Sequence, residues 1–187
     1  MSTTKLHEEI QEGRFEETPE GLYIPRTDTL VQGVFSYSKR GEQDEFSCNQ
    51  IVIEGLNHIL SVVLKGATPN SNWFIAPFSG DVVVQSTWTA ANFASTSTEV
   101  TAYESASRPA WAPGSVSNGE VDSYAAKAEI KATQNSVVIR GAALLSSSTK
   151  GGSVGTLLGA SRFASAKTLD EGEILDIGYG IKISAAT

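Results

Sequence analysis

The sequence predicts a mainly β fold: a β-sandwich or jelly-roll with one amphipathic helix packed on it and an extended N-terminal arm. Three observations predict it. Several short segments alternate apolar and polar residues or are continuously apolar, one segment has helical spacing, and the first 28 residues have neither period. The 187 residues suit one domain plus an arm, so we place the arm at 1–28 and the sandwich domain at 29–187.

The arm is acidic and contains large apolar residues. It carries seven of the acidic side chains and only three basic ones, and Pro19 and Pro25 interrupt any regular element. We expect it to be extended or disordered in the free protein. A tail that serves only solubility seldom carries many large apolar residues, so docking on a partner is favoured over a solvated tail without a role. The candidate docking residues are Leu6, Ile10, Phe15, Leu22, Tyr23 and Ile24.

The sandwich domain is predicted from β-rich segments separated by turns. Segment 175–183 alternates with strict period two, and 137–145 is almost wholly apolar, as in a central strand covered on both faces. Pro77 places its segment at a sheet edge or a strand end. The predicted strands are 30–37, 73–78, 124–132, 137–145, 157–163 and 175–183.

One segment has the spacing of an amphipathic helix, at about 50–65. Asn49 is its predicted N-cap, and Gly66 its predicted C-terminal stop. Because one face of the helix is apolar, we expect that face to lie against a sheet and Leu60→Asp to prevent folding. The apolar positions recur every three or four residues: Ile51, Val52, Leu56, Ile59, Leu60, Val63 and Leu64.

The segment 85–119 is rich in small polar residues but contains four aromatic ones: Trp88, Phe93, Tyr103 and Trp111. Since a purely flexible loop seldom carries four rings, we expect a long excursion that these rings hold against the sandwich. The alternative hypothesis makes the rings the stacking surface of a receptor- or carbohydrate-binding module.

Composition disfavours several classes of partner. The net charge of −7, without a run of Lys or Arg, disfavours nucleic-acid binding, and no apolar run is long enough to span a membrane. The first eleven residues lack the apolar core of a secretory signal. Cys48 is the single cysteine, so no internal disulfide is expected.

No motif predicts catalysis, a cofactor or a metal. Glu54 and His58 lie four residues apart on the predicted helix, but a zinc site needs at least one further ligand. The glycine-rich segment 150–155 has its lysine before the glycines, so it predicts a hairpin turn rather than a phosphate loop. Asp170 and Glu171 lie in a predicted turn, where two carboxyl groups rarely face each other across a cleft. We therefore expect a protein that is not an enzyme.

Three groups of segments follow one another in collinear order over about 30–185. The first group is NQIVIEGLNHIL at 49–60 with WFIA at 73–76. The second is TAYE at 101–104, RPAW at 108–111, NG at 118–119 and AKAE at 126–129. The third is SSSTKG at 146–151, GTLL at 155–158 and RF at 162–163. Together these segments resemble a family of tailed-bacteriophage virion structural proteins.

The resemblance implies a structural role. It leads us to expect a capsid decoration or cement protein on the capsid exterior, made in the cytoplasm of the bacterial host. Its expected partners are the major capsid protein and further copies of itself, as a dimer or trimer. A tail, neck or fibre-adaptor protein is the alternative within the virion.

Overall fold

The computed structural model describes residues 15–17, 23–25 and 29–185, which contain eleven strands and two helices. The predicted mainly β fold with two sheets is confirmed. The strands are β1 Phe15–Glu17, β2 Tyr23–Pro25, β3 Thr29–Lys39, β4 Glu45–Cys48, β5 Gln50–Ile51, β6 Phe74–Phe78, β7 Glu120–Asp122, β8 Ala128–Lys131, β9 Val137–Leu145, β10 Leu157–Leu169 and β11 Ile174–Ala185. The helices are α1 Ile53–Lys65 and α2 Ala90–Ser97.

The strands form two antiparallel sheets and a separate hairpin. The first sheet has the order β5-β10-β9-β6, and the second has the order β4-β3-β11-β7, with β8 also pairing with β11. Strands β4 and β5 belong to different sheets although only Asn49 separates them, so this segment forms a corner between the sheets. The hairpin consists of β1 and β2, with Phe15 paired to Pro25.

The part of the first sheet formed by β9 and the first half of β10 is covered on both faces. One face packs against the second sheet, where Phe35, Ile139, Leu144 and Tyr179 are fully buried. The other face packs on a smaller cluster under α2 that includes Leu145. Since neighbouring residues of a strand point to opposite faces, β9 contributes Leu144 to one cluster and Leu145 to the other. This confirms the prediction of a central strand without polar alternation.

The edges and turns of the sandwich follow the sequence signals. Pro77 lies in β6, an edge strand, where its missing N–H breaks no ladder. The glycine-rich segment lies in the connection from β9 to β10, as the predicted hairpin turn requires. The turn between β10 and β11 contains Gly172 with a φ of +85°, in the left-handed region that favours glycine.

Helix α1 begins later than predicted and has a different face toward the sheet. Residues 50–51 form β5, so the N-cap is Val52, and Asn49 instead donates from Nδ2 to the Tyr179 hydroxyl at 2.9 Å. Gly66 ends the helix with a φ of +67°, as predicted. The prediction that the apolar stripe lies inside holds for only three of its residues, which are buried or partly buried: Ile51, Val52 and Ile59. It is wrong for the other four, which are at least 37% exposed: Leu56, Leu60, Val63 and Leu64.

Gly55 explains this orientation. A Cβ placed on Gly55 would lie only 2.3 Å from the Leu158 carbonyl oxygen, so the helix approaches β10 at a distance that only glycine allows. Ile59, on the same side, packs partly buried against the core between the sheets. The face with the smallest side chain is therefore the one that lies on the sheet.

The prediction of a single helix missed α2, which lies within the segment 85–119. A capping box joins Thr89 and Asn92 at its first turn, and Phe93 is fully buried. Trp88, Phe93 and Tyr103 are at most 4% exposed, and Trp111 is partly buried. The expectation that the four rings hold this segment against the sandwich is thus confirmed.

Candidate functional site

Half of the predicted docking residues lie outside the described part of the chain: Leu6, Ile10 and Leu22. The other three, Phe15, Tyr23 and Ile24, belong to the hairpin of β1 and β2, in which Glu16 pairs with Ile24 and Glu17 with Tyr23. Their role in docking stays a prediction.

Glu54 connects α1 to two other elements. Its Oε2 accepts hydrogen bonds from the backbone N–H groups of Ala90, at 2.8 Å, and Leu157, at 2.7 Å. Ala90 is the first residue of α2, so the carboxylate lies where the helix dipole favours negative charge. Glu54 therefore holds the first residue of α2 and the first residue of β10 close to α1.

His58 is held by different contacts. Its Nε2 lies 3.2 Å from Nδ2 of Asn70, and its ring contacts Trp73 edge-to-face at 5.6 Å between centroids. Glu54 and His58 thus make separate contacts, with different elements of the fold. Within 15–17, 23–25 and 29–185, no group of three or more His, Cys, Asp or Glu residues lies close enough to hold a metal ion.

A buried ion pair fastens two loops together. Arg108 Nε and Nη2 donate to the two carboxylate oxygens of Glu99, both at 2.7 Å, and the two side chains are 0% and 1% exposed. Arg108 also donates to the carbonyl oxygens of Ser147, at 2.9 Å, and Gly152, at 3.2 Å. The Gly151 N–H donates to Glu99 Oε2 at 3.0 Å. The segment 99–108 is therefore joined to the loop between β9 and β10.

Lys150 extends this cluster with its ammonium group. Its Nζ donates to the carbonyl oxygen of Tyr103 at 2.7 Å and lies 3.5 Å from the centroid of the Tyr103 ring. Burial lowers the pKa of Lys150, and burial also raises the pKa of Tyr103, with the Glu99 charge adding to the latter. The lysine before the glycines thus anchors the turn.

The aromatic residues do not form the stacking surface that the alternative hypothesis requires. Trp88, Phe93 and Tyr103 are buried, and Trp111 donates from Nε1 to the Tyr179 carbonyl oxygen at 3.0 Å. A glycan cannot stack on a ring without an accessible face. The assignment as a stacking surface is therefore wrong for Trp88, Phe93 and Tyr103, whereas Trp111 is only partly buried.

The largest group of exposed apolar side chains on one described element lies along α1. We call it the α1 stripe, and its members with their exposed fractions are Ile53 50%, Leu56 37%, Leu60 54%, Val63 71% and Leu64 74%. Sequence reasoning assigned the last four of these residues to the interior. Gly55 on the opposite side of the helix was the signal that the stripe faces outward.

Comparison with known proteins assigns no family: no protein-family model matches the chain, and no curated protein matches it significantly. Among the described residues, no helix is both long and apolar enough to cross a membrane. The described residues thus combine buried polar contacts between loops with an exposed apolar stripe on α1.

Proposed function

We propose that this protein is a bacteriophage virion structural protein, a capsid decoration or cement protein that binds the shell of major capsid protein and stabilises it. One observation supports this most strongly: residues from the three groups of phage-like segments bind one another. Glu54, in the first group, accepts a hydrogen bond from Leu157 of the third. Arg108, in the second, donates to Ser147 of the third.

These contacts provide a physical reason for the resemblance of these segments to the phage proteins. A residue that holds two distant loops together by buried polar contacts is replaced only at a large cost, since its partners are left unsatisfied. The resemblance therefore concerns the residues that maintain this fold, and supports a common architecture with the phage proteins.

The proposed mechanism is the bridging of neighbouring capsomers by many copies on the capsid exterior. Weak contacts suffice when many act together, because each bound contact raises the effective concentration of the next. The arm and the sandwich would each contact the shell, and the net charge of −7 suits a surface that faces solvent rather than packaged DNA. Opening of the shell then requires the breaking of these additional contacts.

The experiment compares virions with and without this protein. We expect virions that lack it to release DNA at lower temperature and after milder osmotic shock, and purified protein added back to restore resistance at hundreds of copies per particle. A full-length variant with serine at the six apolar arm positions should restore little, because the arm then has no apolar surface to bury. A matched variant with glutamine at Glu8, Glu9 and Glu12 should restore resistance.

Two results would contradict the proposal. Equal DNA retention by both kinds of virion would remove the stabilising role. A count of a few copies per particle, located at the tail or neck, would place the protein elsewhere in the virion.

A further inference from the structure

The α1 stripe exposes apolar surface that nothing in the described chain covers. Its five side chains leave about 500 Å² in water, within the range in which a contiguous apolar patch on a monomer is often functional. The opposite side of the same helix is occupied, since Gly55 contacts the backbone of β10. The stripe is thus a second, separate contact face of α1.

The spacing of the stripe is that of a helix-pairing seam. Ile53, Leu56, Leu60 and Val63 follow one another at steps of three, four and three residues, as positions a and d of a heptad do, and Leu64 widens the seam at the next position. The ridges of such a stripe pack into the grooves of another helix. A helix with a matching apolar stripe is therefore a partner that fits it.

The described chain offers one such partner, a second α1. The other described helix, α2, buries Ala90, Phe93 and Ser97 within its own chain and has no free apolar stripe. The α1 stripe contains no charged side chain, and Glu54 of the same helix is bound to Ala90 and Leu157. Two stripes therefore meet without placing like charges together.

We propose that the α1 stripe binds the α1 stripe of a second copy of this chain, as a two-fold pair of antiparallel helices. A 13-residue helix is about 20 Å long, so two copies overlap along their whole length when their centres coincide. Leu60 then lies near the two-fold axis, beside Leu56 of the other copy. This arrangement is self-complementary, as a two-fold interface must be.

The area is consistent with a dimer of moderate affinity. Full burial of two stripes would remove roughly 1,000 Å² from water, near the lower limit for a specific interface. For so small an interface we expect a dissociation constant in the micromolar range, because only part of the burial energy appears as affinity. Copies held side by side on a shell would exceed this concentration locally.

The test measures the mass of the purified full-length protein by analytical ultracentrifugation from about 1 to 300 µM, a range that brackets the expected constant. Wild type should change from monomer to dimer. Leu60→Asp and Val63→Asp should each weaken the dimer on the order of 100-fold or more, because the change removes apolar burial and adds a charge in both copies. Both variants should keep the wild-type circular dichroism spectrum and melting temperature of the monomer, since both residues are exposed.

Val154→Asp is the matched control, because Val154 is 66% exposed and lies outside α1. It should dimerise like wild type. Monomeric wild type throughout the range, a trimer, or an intact dimer in Leu60→Asp would each overturn the proposal.

The arm is the rival occupant of the stripe. A full-length Leu6→Ser/Ile10→Ser variant should dimerise normally, and loss of its dimer would overturn the pairing of two α1 helices in favour of arm binding. These measurements use purified protein without capsids, so their outcome does not depend on the role proposed in the virion.

Discussion

Replacement of Glu99 by glutamine tests whether the buried ion pair holds the loops. Glu99→Gln keeps the size of the side chain but removes its charge, which leaves the guanidinium of Arg108 unpaired at 0% exposure. The loss of one partner of a buried pair costs about 3–5 kcal/mol of unfolding free energy. At roughly 2–4 °C per kcal/mol for a chain of this size, the melting temperature should fall by about 10 °C.

Two assays separate this loss from a general defect. Urea denaturation gives the change in free energy, and hydrogen exchange reports the loop directly, because the Gly151 N–H donates to Glu99. We expect the Gly151 amide to exchange much faster in Glu99→Gln. The double variant Glu99→Leu/Arg108→Met should recover part of the stability, since it removes the buried charge, but not all of it, since the carbonyls of Ser147 and Gly152 lose their donor.

The control is the surface pair of Arg162 with Asp81, whose side chains are 48% and 62% exposed. Asp81→Asn should change the unfolding free energy by less than about 1 kcal/mol. If Glu99→Gln destabilises the protein no more than Asp81→Asn does, the reasoning about the buried pair is wrong.

Two further predictions concern the packing of α1 and the response to acid. Replacement of glycine by alanine stabilises most helices, but Gly55→Ala should lower the free energy of unfolding by about 1–3 kcal/mol, because the new Cβ would lie 2.3 Å from the Leu158 carbonyl oxygen. Urea denaturation measures this change, with Asn57→Ala on the exposed side of α1 as the control. Equal effects of the two substitutions would contradict the close approach of α1 to β10. Hydrogen bonds from Lys167 and Ser165 lower the pKa of Glu45 from 4.5 to about 2. This contribution to stability is therefore full above pH 4.5 and is lost as the pH falls toward 2, so Glu45→Gln should lower the melting temperature more at pH 6 than near pH 2. An equal loss at both pH values would show that the ionised carboxylate contributes nothing.

The sequence predicted those elements whose signal is local. Continuous apolarity identified β9, because both faces of that strand are covered, and strict alternation identified β11. Gly66 marked the end of α1, because the left-handed φ at this position favours glycine independently of the elements that pack on the helix. Each of these signals depends on a few neighbouring residues only.

The remaining features depend on contacts between distant residues. The start of α1 was misplaced because Asn49 binds Tyr179, 130 residues away, and so forms a corner instead of a helix cap. Apart from its three alanines, helix α2 consists of residues with modest helix propensity, and it is only eight residues long. Its position depends on the Glu54 carboxylate and on the burial of Phe93. The pair of Glu99 and Arg108 has no sequence signature, since its loop partners lie about 40 residues further on.

Apolar spacing alone does not reveal what covers a helix. On α1 the sheet-facing side is set by Gly55, whose backbone contact with β10 leaves the larger side chains outside. A chain that only had to fold would gain by turning Leu60 and Leu64 inward. They are 54% and 74% exposed, so burial of the remaining surface would contribute about 1–2 kcal/mol each. The polar contacts of Glu54 oppose that rotation, since a turn of α1 would break its bonds to Ala90 and Leu157. The same contacts that hold the starts of α2 and β10 therefore keep the α1 stripe exposed.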